Sequence, residues 1–100
     1  MPRTANTRAD GAPFDEATID RVWLKGNPAP GGFAFRLDRC KAMIYRNDYG
    51  KTSQHGWEID HITPVAHRGT DDLGNLQPLH WENNRAKADT VGPWNCKRTA

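Results

Sequence analysis

The sequence predicts a small α+β domain, and three observations carry that expectation. The chain has 100 residues, the size of a single domain. Residues 57–89 read in the order strand, loop, strand, helix. A separate helical pattern precedes them, opening at Phe14-Asp15 and stopping at Gly26. A chain of this length buries roughly 60–70% of the surface its unfolded form exposes, which supports one modest core.

The first 13 residues are polar, small and Pro-containing, and are expected to be disordered. In the first helix Asp15 can cap the free N–H groups, and Glu16 and Asp20 sit near its positive end. Ile19, Val22 and Trp23 recur at helical spacing. "NPAPGG" at 27–32 is expected to be a linker or turn, and residues 33–41 fit either a short helix or an extended segment. "AMIY" (42–45) reads as a strand and "RNDYG" (46–50) as its turn. "WEIDHITP" (57–64) then alternates Trp57 and Ile59 against Glu58 and Asp60, as a strand does, before bending at Thr63-Pro64. A loop rich in Gly and Asp leads to a second short strand, Asn75-Leu76-Gln77. Pro78-Leu79 then leads to a helix from about His80 to Lys87.

Apolar residues make up 36% of the chain, and no apolar run approaches the roughly 18 residues needed to span a membrane. The N-terminus has no apolar h-region. The expectation is a soluble, cytoplasmic protein with no membrane partner. Cys40 and Cys96 belong to no Cys-x-x-Cys pair. In a cytosolic chain they are expected to be two buried or half-buried thiols, with a disulfide or a metal role as the alternatives. The formal net charge is only +2, but Arg36, Arg39, Lys41, Arg46 and Lys51 face two acids within 36–51, and Arg85 and Lys87 follow. A local basic stretch suits a polyanion, although an ordinary solvated face has the same composition.

Asp60-His61 sets an acid and a base at the end of a strand. Hydrolysis of a phosphodiester needs charge neutralised on the phosphate and a base to deprotonate the attacking water. Asp60 is a carboxylate, and Asn84 offers a side-chain carbonyl from the helix that packs back on the strand. Both are oxygen donors that suit a hard cation. Histidine has an ordinary pKa near 6.5 and so can accept a proton near neutrality. The Asp-His dipeptide alone is too common to decide anything.

Three blocks together are more specific: Asp60-His61-Ile62-x-Pro64, Gly69-x-Asp71-x-Leu73-x-Asn75-Leu76-Gln77-x-Leu79, and Asn84-x-x-Lys87. In order, intervals and residue types they resemble the HNH endonucleases of the ββα-metal fold. The resemblance implies a nuclease domain over 14–100 with its core motif at 57–89, built as a ββα-metal core plus an N-terminal helix. It implies that Asp60 and Asn84 are metal ligands and that His61 is the general base. Asn75 would hold the loop and orient the histidine, and Lys87 would reach the phosphate or steady the metal site. The implied cofactor is one divalent cation, Mg²⁺ or Mn²⁺ first, with Ni²⁺ or Zn²⁺ as alternatives. The implied partner is DNA; its backbone phosphates are expected to dominate binding, through the basic residues Arg36, Arg39, Lys41, Arg46 and Arg85, with a steep dependence on salt.

The sequence departs from relatives that carry a structural zinc on two Cys-x-x-Cys pairs. The equivalent stretches here are Cys40-Lys41-Ala42-Met43 and His80-Trp81-Glu82-Asn83. A four-thiolate site cannot form, so apolar packing is expected to hold the fold, with Trp23, Trp57, Trp81 and Trp94 contributing. His55 and His67 read as loop histidines, and His67 could also touch DNA. His80 reads as a helix-start or substrate-contact residue, and Asp71-Asp72 as loop-shaping. Two other functions fit the same motifs: a non-catalytic nucleic-acid-binding module, and a nuclease toxin or defence effector with a cognate inhibitor.

Overall fold

A computed structural model describes residues 3–100. Helix α1 (Glu16–Trp23) starts where the Asp15 side chain accepts a hydrogen bond from Thr18 N–H at 2.8 Å. It buries Ile19, Val22 and Trp23, the positions its spacing singled out. A small antiparallel sheet follows, in the order β1 (Asn27–Pro28), β2 (Phe35–Leu37), β3 (Met43–Tyr45). The expected linker at 27–32 therefore begins with a two-residue edge strand. The undecided segment contains a true strand, with Phe35 opposite Tyr45.

The second sheet is the antiparallel pair β4 (Trp57–His61) and β5 (Leu76–His80), and α2 (Trp81–Lys87) follows directly. Strand β5 runs on through Pro78, where the sequence suggested a stop. Proline has no N–H to give a ladder, and here none is needed. Pro78 stands opposite Ile59, and the Ile59 N–H points away from β5 to the side chain of Asn6 at 2.8 Å. His80 is the N-cap of α2 rather than its first residue: its Nδ1 accepts from Glu82 N–H at 3.1 Å.

Trp57 and Ile59 pack with Phe14, Ile19, Val22, Trp23, Ile44 and Leu76 into one apolar core. Trp23 and Trp57 belong to it, while Trp81 and Trp94 remain half-buried, each under an arginine. The alternation along β4 thus places Trp57 and Ile59 in the core and leaves Glu58 and Asp60 for the face that α2 covers.

Two expectations are corrected. Cys40 and Cys96 are not free thiols: they form a disulfide that ties the loop before β3 to the C-terminal tail. Their separation of 56 positions gave no local signal of pairing. Residues 3–13 have a defined course (Met1 and Pro2 lie outside the described residues). Thr7 bridges Pro13, Arg8 N–H donates to Ala12 O at 2.7 Å, and Asn6 reaches β4. The arm is polar, as its composition required, but it docks by hydrogen bonds rather than by apolar burial.

Candidate active site

The end of β4, the loop after it and one face of α2 converge on an open cavity of about 280 Å³. Asp60, His61 and Asn84 all line it, although Asn84 lies 24 positions from Asp60 in sequence. Glu58 and Arg85 line it as well, and the arm residues Arg3 to Thr7 form one wall.

Asp60 is almost fully buried. Its Oδ1 accepts from Lys87 Nζ at 3.1 Å, and its Oδ2 accepts from Gln77 Nε2 at 2.9 Å. Burial raises its pKa above 3.8, against the pull of the Gln77 hydrogen bond and the Lys87 charge. Each carboxylate oxygen keeps a second acceptor position. Lys87 is itself buried and also donates to the His61 carbonyl at 3.0 Å. Its ammonium therefore steadies Asp60 and the strand end and is not presented to a phosphate.

Asn84 sits one helical turn before Lys87 on α2. Its Nδ2 donates to Glu58 Oε1 at 2.8 Å, which turns its Oδ1 the other way. Among the described residues every side-chain nitrogen or oxygen shut off from solvent has a hydrogen-bond partner. The Asn84 Oδ1 has none, so it is open to solvent. Carboxylate and amide oxygens are the donors that Mg²⁺ or Mn²⁺ prefers. No group of three or more His, Cys, Asp and Glu side chains that could hold a metal occurs among the described residues. Asp60 and Asn84 are two such oxygen donors that this part of the cavity offers.

His61 ends β4. Its Nε2 lies 2.8 Å from Asp71 Oδ1, and its ring stands 5.9 Å from that of Phe14. Asn75 clamps the loop between them. Its Oδ1 accepts from Thr63 N–H, and its Nδ2 donates to the carbonyls of Thr63 and Thr70. Asn75 makes no side-chain hydrogen bond to the imidazole; that contact belongs to Asp71. The loop closes tightly because position 69 is glycine: a Cβ there would stand 1.6 Å from the Thr63 carbonyl oxygen.

The basic residues picked from the sequence do not gather. Arg85 is at the cavity, 3.6 Å from Glu58 and stacked over Trp81. Arg46 is held by Asp20 at 2.5 Å and by Glu16. The Arg36 guanidinium donates to the Gly26 carbonyl, Arg39 lies over Trp94, and Lys41 is exposed; none of these four lines the cavity. His80 is committed elsewhere. Its Nε2 meets Gln54 O at 2.8 Å, its Nδ1 caps α2, and burial lowers its pKa. That leaves it no nitrogen for substrate or metal.

Sequence reasoning missed three contributors. Glu58 was legible in principle, since it lies two positions before Asp60 on the same strand face. Asp71 was read as loop-shaping, and Asn6 lay in a segment without pattern. Both act across distances that local periodicity does not report.

The HNH endonuclease family model matches residues 46–90. No curated protein and no solved structure matches the chain. The matched stretch contains β4, β5, α2 and the residues that meet in the cavity, apart from its N-terminal wall. Over those residues the chain is similar to the HNH endonucleases.

Proposed function

We propose that this cavity hydrolyses phosphodiester bonds in DNA, with His61 as general base and one divalent cation held by Asp60 and Asn84. The observation that carries the reading is the meeting of Asp60, His61 and Asn84 in one open cavity. A base and two oxygen donors on a single concave surface are what phosphodiester hydrolysis requires. The imidazole takes a proton from water as the water oxygen attacks phosphorus and the bond to the leaving oxygen breaks. Lys87 and Gln77 hold the Asp60 carboxylate in place, and Glu58 turns the Asn84 carbonyl outward. When bound, the cation would neutralise charge on the phosphate. Arg85 and Arg3 are the cations that line the cavity, which suits recognition of the backbone rather than of base edges.

Cleavage of supercoiled plasmid, measured with Mg²⁺, Mn²⁺, Ni²⁺ or Zn²⁺ against a chelator control, tests the reading. We expect metal-dependent nicking or linearisation. His61→Ala should keep metal binding and lose about 10²–10⁴-fold in rate, the usual worth of a positioned acid–base group. Asn84→Ala should weaken cation binding in calorimetry. A His61→Ala protein that no longer binds the cation, beside an Asn84→Ala protein that binds it normally, would overturn these assignments. Retained DNA binding without cleavage under any of the four metals would instead indicate a binding module.

A further inference from the structure

We infer that Asp71 is the positioning residue for His61 and that the N-terminal arm holds Asp71 in place, a proposal that rests on His61 being the base. The Asp71 carboxylate is gripped from several sides. Its Oδ1 meets His61 Nε2 at 2.8 Å, and the Ala9 N–H donates to both of its oxygens, at 2.9 and 3.1 Å. Arg8 Nε stands 3.8 Å from its Oδ2. The arm that supplies Ala9 and Arg8 is anchored on β4, where Asn6 accepts the Ile59 N–H. The Arg3 guanidinium braces it internally through the carbonyls of Thr7 and Arg8. One polar segment thus links the strand that carries Asp60 and His61 to the loop that carries Asp71.

Proton bookkeeping assigns the chemistry. A carboxylate only accepts, so the proton between the two groups is on Nε2 and the lone pair of the ring is on Nδ1. Nδ1 has no hydrogen-bond partner among the described residues, and no side-chain nitrogen without a partner is shut off from solvent. The lone pair on Nδ1 is therefore not shut off from solvent, in a side chain that lines the cavity. When Nδ1 takes the proton of that water, the water oxygen bonds to phosphorus, the bond to the leaving oxygen breaks, and the leaving oxygen takes its proton from solvent. The imidazolium so formed keeps its Nε2–H on Asp71, now as a charge-assisted hydrogen bond. Without Asp71 the ring of a strand-terminal histidine is free to turn, and a misdirected base loses rate without losing substrate.

The test compares Asp71→Ala, Asp71→Asn and the surface control Asp72→Ala. Each is read by single-turnover cleavage, by cation binding and by nitrogen-15 spectra of the imidazoles. Asp71→Ala should lower kcat about 10–10²-fold, with KM and cation affinity within about twofold, because orientation and not binding is lost. Asp71→Asn should recover part of the rate, since its carbonyl can still accept from Nε2–H. Asp72→Ala should match the parent. In the parent near neutral pH, His61 should show a protected proton on Nε2 and none on Nδ1, and Asp71→Ala should lose that protection. A parent that cleaves DNA while Asp71→Ala keeps its full kcat overturns the positioning role, as does a parent with the proton on Nδ1. A parent with the protected Nε2 proton that cleaves nothing overturns the nuclease reading and leaves the pairing standing.

Discussion

Lys87 and Asp60 are a buried ion pair beside the cavity, with side chains 3% and 6% exposed. Removing one partner of such a pair strands the other charge in a poorly solvated place. Lys87→Ala should cost about 3–5 kcal/mol at neutral pH in urea unfolding. The pH dependence follows from the raised pKa of Asp60. A carboxyl that holds its proton more tightly when folded subtracts from stability once ionised. Its contribution is absent below 3.8 and grows unfavourable as pH rises through the raised folded value. Asp71 has the opposite sign. Burial alone would raise its pKa, but hydrogen bonds from His61 and Ala9 and the nearby positive charges bring it below 3.8. Its stabilisation is present above 3.8 and is lost as pH falls through the depressed value. Two windows on either side of 3.8 should therefore appear in a stability–pH profile of the metal-free protein. Asp60→Asn should remove the upper one, and a single monotonic profile in the parent would contradict the assignment.

Helix α2 is seven residues long, too short to hold its shape by propensity alone. Its start is secured from outside. The buried Asp38 accepts from Cys40 N–H, Ala42 N–H, His80 N–H and Asn83 Nδ2. A single carboxylate thus joins the loop before β3 to the start of α2. The C-terminal tail closes on the same helix, where Asn83 Oδ1 accepts from Lys97 and Arg98 N–H. The loop between β4 and β5 depends on close backbone approach instead. Gly69→Ala would push a methyl group into the Thr63 carbonyl, so the loop must open and Asp71 must move with it. We expect a loss of at least about 2 kcal/mol together with a fall in kcat. Full activity in this variant would show that the loop course tolerates the change.

At the scale of the molecule, the disulfide closes a long loop that holds β3, both site strands and α2. The chain-entropy account gives about 4 kcal/mol for a sequence separation of 56. Urea midpoints measured with and without a thiol reductant should differ accordingly; equal midpoints would mean that the bond does not form in solution. Disulfides persist in oxidising compartments and are rare in the cytosol. No helix of the described residues is long and apolar enough to cross a membrane.

The α+β class, the strand carrying Asp60-His61, the loop and the helix carrying Asn84 and Lys87 were legible in sequence. Each is written in short-range terms: a period of two, a cap, a turn residue, a motif interval. The core face of β4 could be read for the same reason, since alternation decides which side chains share a side. What local pattern could not carry was every partner far away along the chain. Cys40 finds Cys96, Asp38 finds His80 and Asn83, Ala9 finds Asp71, and Asn6 finds Ile59. The basic residues of 36–51 looked like one surface because they are neighbours in sequence, yet strand pairing and the acids of α1 engage Arg36 and Arg46 away from the cavity. Hydrogen bonds and ion pairs depend on distance in space. Only the folded chain brings those groups within reach of one another, so only the fold shows which carboxylate holds the histidine.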